Sequence, residues 1–231
     1  MTIAEKLQTI AENEQKVYDA GYAKGKAEGG GGGEEDMLRY CNQPNFVGLG
    51  VFDKEEVVLN LDMTLSLYRV VYQGNYPTAT NTKVKHLVLN CKQQVLNVQQ
   101  MMIVSDQVLD RVTLNADLSK STSFMQMLRS QHALKVVDGT PLDLSSSTNN
   151  SAVLMDSPNV EEVRFAPNTI KSSIGLEGSE KLSDATVQSV IDGLADLTGA
   201  TAQTLTLHAT VKGKLTDAQV AAITAKNWTL A

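Results

Sequence analysis

Aromatic residues are scarce: Phe, Trp and Tyr make up 5% of the 231 residues, and Trp228 is the single tryptophan. Base-stacking platforms and aromatic cages for cationic ligands are therefore poorly supplied. The two cysteines, Cys41 and Cys91, lie too far apart for a local zinc pair and are too few for a disulfide framework; both read as buried thiols. No stretch approaches the roughly 18 to 20 consecutive apolar residues of a membrane span. At the start of the chain, Glu5, Lys6, Glu12, Glu14 and Lys16 break every run that could serve as the apolar core of a secretory signal. The expectation is a soluble protein that is not exported by the Sec route. Dense basic blocks are missing too, and 20 Lys+Arg against 26 Asp+Glu leave a net charge of −6, so neither nucleic acid nor membrane is expected as a partner.

Catalytic motifs are equally lacking. There is no G-x-S-x-G elbow and no phosphate-binding G-x-x-x-x-G-K-[ST] loop, and Gly48-Leu49-Gly50 reads as a turn. His86, His132 and His208 stand in separate stretches of the chain, so no two share a helix turn as a metal pair would. The adjacent carboxylates Glu55-Glu56 and Glu161-Glu162 would point to opposite faces of a strand and cannot act on one substrate. No catalytic residue, metal or cofactor is expected, and the chain does not read as an enzyme.

What is present is ordinary globular usage, 42% hydrophobic and 20% charged, in a length that suits one large domain or one domain with an appendage. Residues 1–28 read as that appendage, a helix. Ile3, Leu7, Ile10, Val17 and Tyr18 follow a three-to-four spacing with charges between them, after Thr2 as N-cap with Glu5 three positions on. The narrow stripe suits the seam of a short coiled coil, for anchoring or oligomerisation; a helix lying on a larger surface is the other reading. Gly29 to Gly33 with Glu34-Glu35-Asp36 form a flexible acidic linker, residues 29–36. Residues 37–231 are the body.

Within the body a pattern recurs. Val84/Leu87/Leu89, Leu109/Val112/Leu114, Leu134/Val137 and Val160/Val163/Phe165 repeat an apolar-x-x-apolar-x-apolar string at nearly equal intervals, with Val57 to Leu61 as a looser copy and Gly139 in place of one apolar residue. Units of about 20–29 residues carrying such a string are the signature of a leucine-rich-repeat solenoid; strands at coincidental spacing in an α+β domain are the alternative. The tract Ser145 to Asn150 reads as a loop between repeats.

Towards the end, Leu182-Ser183-Asp184-Ala185-Thr186-Val187 is echoed by Leu215-Thr216-Asp217-Ala218-Gln219-Val220, with Leu, Asp, Ala and Val in the same places. Ser183 and Thr216 are natural N-caps, and Thr216 with Gln219 makes a capping box, so two helices are predicted. The first would bury Val187, Val190, Ile191 and Leu194, and the second Val220 and Ile223, with Trp228 after it. Thr204 to Thr210 alternates as a strand between them. The whole, from about residue 176, reads as a helical cap closing an α/β (α+β) repeat body. On the strands, alternation turns His86, Asn90, Arg111, Thr113, Asn115, Glu162, Arg164, Thr206 and His208 outward as a candidate binding face; a merely solvated sheet face would show the same alternation.

The opening Thr2 to Leu7 and Ile10 to Gly21 resembles the start of many phage and prophage proteins of Gram-positive gut bacteria. Leu182 to Thr186, Asp192 to Gly199, Thr204 to His208 and Lys226 to Leu230 resemble the C-terminus of BspA-type leucine-rich-repeat proteins encoded in phage structural regions. The resemblance implies a non-enzymatic virion component of a tail fibre, baseplate or head appendage, assembled in the host cytoplasm. Its partners would be other virion proteins, further copies of itself in a homo-oligomer, and a bacterial surface protein or glycan. A cytoplasmic leucine-rich-repeat interaction module expressed during infection is the alternative.

Overall fold

The computed structural model describes Leu49 and residues 52–61, 66–72 and 81–231. The predicted N-terminal helix with Ile3, Leu7, Ile10, Val17 and Tyr18, the linker and Cys41 lie outside the described residues.

The strands alternate apolar and polar residues, and that alternation sorts them into sheets. Residues Glu56–Asn60 (β1), His86–Asn90 (β3), Arg111–Asn115 (β5), Val136–Leu142 (β7) and Glu162–Phe165 (β8) form one five-stranded sheet in the order β1-β3-β5-β7-β8. Val71–Tyr72 (β2), Met102–Asp106 (β4) and Leu128–Gln131 (β6) form a second sheet, so the chain from β1 to β7 visits the two sheets in turn. Ile174–Leu176 (β9), Gln203–Leu207 (β10) and Trp228–Leu230 (β11) form a third. Every pairing is parallel. Among the described residues the architecture is mixed α/β, with parallel sheets, few helices and no closed barrel.

The registers carry the spacing of the sequence. Leu87 lies beside Val57 on one side and Val112 on the other, Val112 beside Val137, and Val137 beside Val163. All of these side chains are buried, as are Val84, Leu89, Leu109, Leu114, Leu134, Val160 and Phe165, in one hydrophobic cluster shared by the strands.

Between the strands a second recurrence appears. Val70, Met101 and Met127 each donate a backbone N–H to the carbonyl three residues earlier, at Leu67, Val98 and Phe124, all at 3.1 Å. The third residue of each turn is left-handed: Arg69 (φ 53°), Gln100 (φ 50°) and Gln126 (φ 51°). These side chains are stitched across the turns, Arg69 donating to Gln100 Oε1 at 3.2 Å and Gln100 Nε2 to Gln126 Oε1 at 3.1 Å. The tract Ser145 to Asn150, expected as an inter-repeat loop, belongs to this stacking: Asn149 bridges to Ser123 and Asn150 to Ile174, and Ser147 and Asn150 are buried. The buried side chains there are paired, Ser147 Oγ donating to Asn150 Oδ1 at 2.5 Å and Asn150 Nδ2 to Ser172 Oγ at 2.9 Å, which is why a polar tract can lie inside.

Helices Asp184–Gly193 (α1), Ala209–Lys212 (α2) and Asp217–Ala225 (α3) close the C-terminal part. Ser183 caps α1, and Thr216 with Gln219 forms the capping box of α3, as predicted. Val187, Val190, Ile191 and Leu194 are buried, and so are Ile223 and Trp228, whose indole N–H donates to the Ala195 carbonyl at 2.9 Å. Two expectations fail. Val220 is 39% exposed, because α3 packs through Ile223 and leaves that turn outside. The strand expected over 204–210 runs instead from Gln203 to Leu207, since the His208 side chain caps Thr210 N and starts α2.

Helix α1 occupies the place beside β8 where another strand would pair. Thr186 Oγ1 accepts from Val163 N at 3.1 Å and donates to the Glu161 carbonyl at 2.9 Å, while Ser189 Oγ accepts from Phe165 N at 2.8 Å. Two side-chain hydroxyls thus satisfy an edge strand whose backbone would otherwise invite another strand. Replacing Thr186 by Val should lower stability by about 1–3 kcal/mol, by stranding the buried Val163 N–H while the Glu161 carbonyl keeps the Ser183 N–H, and Thr186→Ser loses far less. Urea unfolding of the two variants distinguishes the hydroxyl from the packing.

Candidate functional site

The outward side chains of the five-stranded sheet fall into rows because parallel register places equivalent residues side by side. One row runs Glu56, His86, Arg111, Val136, Glu162, a second Val58, Val88, Thr113, Asp138, and a third Asn60, Asn90, Asn115. The third is a chain of amides: Asn115 donates to Asn90 Oδ1 at 2.8 Å, and Asn90 to Asn60 Oδ1 at 3.0 Å.

The first two rows are joined by a charged network. His86 Nδ1 lies 2.7 Å from Glu56 Oε2 and its Nε2 lies 2.8 Å from Thr113 Oγ1. Thr113 donates in turn to Asp138 Oδ1 at 2.5 Å, and Arg111 Nη2 donates to Asp138 Oδ2. Carboxylate, imidazole and hydroxyl follow one another in the order of a nucleophilic triad, but Thr113 gives its single proton to Asp138 and meets the imidazole as an acceptor. The hydroxyl is a structural link between strands, not one poised for deprotonation by His86. Burial pushes the Asp138 carboxyl up, but hydrogen bonds from Thr113 and Arg111, with the charges of Arg111 and His86, outweigh it and hold it below its ordinary value.

The structure gathers seven of the nine residues expected on this face: His86, Asn90, Arg111, Thr113, Asn115, Glu162 and Arg164. Thr206 and His208 are not with them. Thr206 lies on β10 and His208 caps α2; that sheet continues the line of β6, through Leu128 N to the Val153 carbonyl at 3.0 Å and Val153 N to that of Gly175 at 2.9 Å. Alternation assigns a side to a residue within a strand, not the sheet that the strand joins. Glu56 and Asp138 were missed, although Asp138 follows Thr113 by the same interval that defines the repeat and lies beside it in the register. Glu162 and Arg164 are exposed, with no side-chain hydrogen bond or ion pair among the described residues, so a free guanidinium stands at the end of the face.

Burial pushes the Cys91 thiol up to about 12, so it is not a nucleophile at neutral pH. Among the described residues, no three of the His, Cys, Asp and Glu side chains come together as metal ligands, and no helix is long and apolar enough to cross a membrane. Comparison of the chain with protein-family models, with curated proteins and with solved structures finds no match.

Asp138 generates a pH prediction. A carboxyl whose folded value is lowered stabilises the fold fully above its unfolded value, and that contribution is lost as the pH falls through the lowered one. Asp138→Asn should therefore lose stability at about pH 7 and show a shallower decline than the wild type between about pH 5 and pH 2, measured by urea unfolding across that range.

Proposed function

We propose that this protein is a non-enzymatic phage virion component, of a tail fibre, baseplate or head appendage, built as a leucine-rich-repeat-like β/α solenoid with a helical C-terminal cap. The five-stranded face makes its protein or host-surface contacts. The observation that carries this reading is the near-uniform parallel offset that sets His86 beside Arg111, Arg111 beside Val136 and Val136 beside Glu162, with the outward residues mostly polar and α1 covering the last edge. A stack of near-identical passes makes a long, laterally polar surface suited to broad contacts rather than an enclosed cleft. The network on that surface is a cross-strand brace in which the Thr113 hydroxyl already donates its one hydrogen bond to Asp138, which favours recognition over hydrolysis.

In this reading, residues 1–28 attach the body to the particle or to further copies of the chain, and the body meets other virion proteins or a bacterial surface protein or glycan. Quantitative mass spectrometry of gradient-purified, DNA-filled particles should find the chain at a fixed stoichiometry to the major capsid protein. Deleting residues 1–28 should remove it from particles while leaving the unfolding transition of the body unchanged. Abundance in the infected-cell lysate with absence from particles would instead favour a cytoplasmic interaction module. Arg164→Ala, which breaks no bond among the described residues, should weaken partner binding about tenfold without changing stability; binding left intact by this change and by Arg111→Ala would exclude the face.

A further inference from the structure

Beside the polar face, at the C-terminal ends of β3, β5, β7 and β8, lies an open groove of about 510 Å3. Ala116, Pro141, Ala166 and Pro167 give it apolar walls. One wall is a bulge. Val137 pairs with Val163 and Leu142 with Phe165, so residues 138–141 stand opposite Arg164 alone. Gly139 is the residue that permits this: its φ is 94°, and a Cβ there would lie 2.5 Å from the Leu114 carbonyl oxygen and 2.9 Å from Asn115 Oδ1.

The polar atoms along the groove are almost all acceptors. Asn115 uses its amide nitrogen on Asn90, and its Oδ1, close to Gly139, receives no hydrogen bond among the described residues. Asp143 Oδ1 accepts from Ser145 N at 2.9 Å, and its Oδ2 likewise receives none. Asp117 accepts from Ser119 N at 3.0 Å and from Gln94 Nε2 at 2.9 Å. Among the described residues, Thr140 supplies the one lining hydroxyl and no Lys, Arg or His lines the groove; the Lys120 charge acts on Asp117 from outside it.

Such a lining selects its ligand. Unused acceptors and two carboxylates repel anions and call for a cationic donor, and the alanine and proline walls suit an aliphatic chain laid over them. We infer that this groove binds the side chain of a lysine or arginine from a partner polypeptide, its stem on Ala116, Pro141 and Ala166 and its charge at Asp143 and Asn115. A second copy of this acidic chain, at net charge −6, is the poorer candidate on the same ground. The inference rests on the reading of the body as an interaction module and adds to it a second contact with stated chemistry.

The test is a titration of the 15N-labelled full chain, at about 150 mM salt to screen diffuse attraction, with blocked hexapeptides Gly-Ser-Lys-Lys-Ser-Gly, their arginine form and their glutamate form. The basic peptides should shift resonances of residues 115–118 and 140–143, and the glutamate peptide should not. Asp143→Asn should weaken binding about tenfold, Thr140→Arg should abolish it by filling the groove, and Glu180→Gln, a charge loss outside the groove, should change nothing. Equal weakening by Glu180→Gln, shifts centred elsewhere, unchanged binding to Thr140→Arg, or no binding of either basic peptide would overturn the inference. Basic peptides that fail to bind while Arg164→Ala still weakens partner binding would remove the groove and leave the proposed face standing.

Discussion

A parallel strand can satisfy its backbone only from neighbours on both sides, and in the five-stranded sheet each neighbour is the stretch of chain one pass earlier or later. That constraint organises the rest. The Lys85 carbonyl takes N–H groups from both Asp110 and Arg111, that of Asp110 takes Lys135 and Val136, and that of Lys135 takes Glu161 and Glu162. Beyond β8 the series stops where α1 offers its N-cap Ser183 N–H to the Glu161 carbonyl and two hydroxyls to β8. A helix cannot extend a sheet, so the serine and threonine side chains of α1 are what allow the ladder to end under cover.

Equivalent positions become neighbours under this constraint, and each column must therefore tolerate its own repetition. Buried columns do so with Leu and Val. Exposed ones use two other solutions. Asn60, Asn90 and Asn115 form a column of self-complementary amides, as Gln100 and Gln126 do on the turns. Just before the strands, Glu55, Lys85, Asp110, Lys135 and Glu161 alternate in sign along the hydrogen-bonded series, and Lys85 reaches Glu55 at 2.9 Å. The pair is exposed and adds little stability. Its sign alternation matters more, since a slip by one pass would set like charges together.

The inward columns were legible because burial requires apolar residues wherever the offset recurs, and Leu87, Val112, Val137 and Val163 are read from spacing alone. Both helix caps were legible because a hydroxyl aimed at a free N–H is a local device. The turns of the second sheet were hidden. Left-handed turn positions usually announce themselves by glycine, whereas here Arg69, Gln100 and Gln126 accept that backbone and hold it with a ladder of side chains visible only once the passes are stacked. The same holds for the site. His86, Arg111 and Thr113 could be turned outward from alternation, but their joining through Glu56 and Asp138 depends on register between strands a whole pass apart in the chain.

The register break between β7 and β8, in the described strands of the five-stranded sheet, is also where the polar face and the groove meet. Four residues of β7, from Asp138 to Pro141, occupy the length that Arg164 alone covers in β8. A regular strand would have continued the amide column just beyond position 139; glycine turns the chain aside and leaves Asn115 Oδ1 without a donor among the described residues. Beside the same detour Asp138 takes Thr113 and Arg111 on the face, and Thr140 and Pro141 form a wall of the groove. Proline is excluded from a regular inner strand because it cannot donate to the ladder, so its presence here depends on the bulge. Identical passes can build only identical columns, and a surface that distinguishes one ligand from another needs a place where the passes differ. In the five-stranded sheet β7 is that place, and the unused acceptors gather beside it.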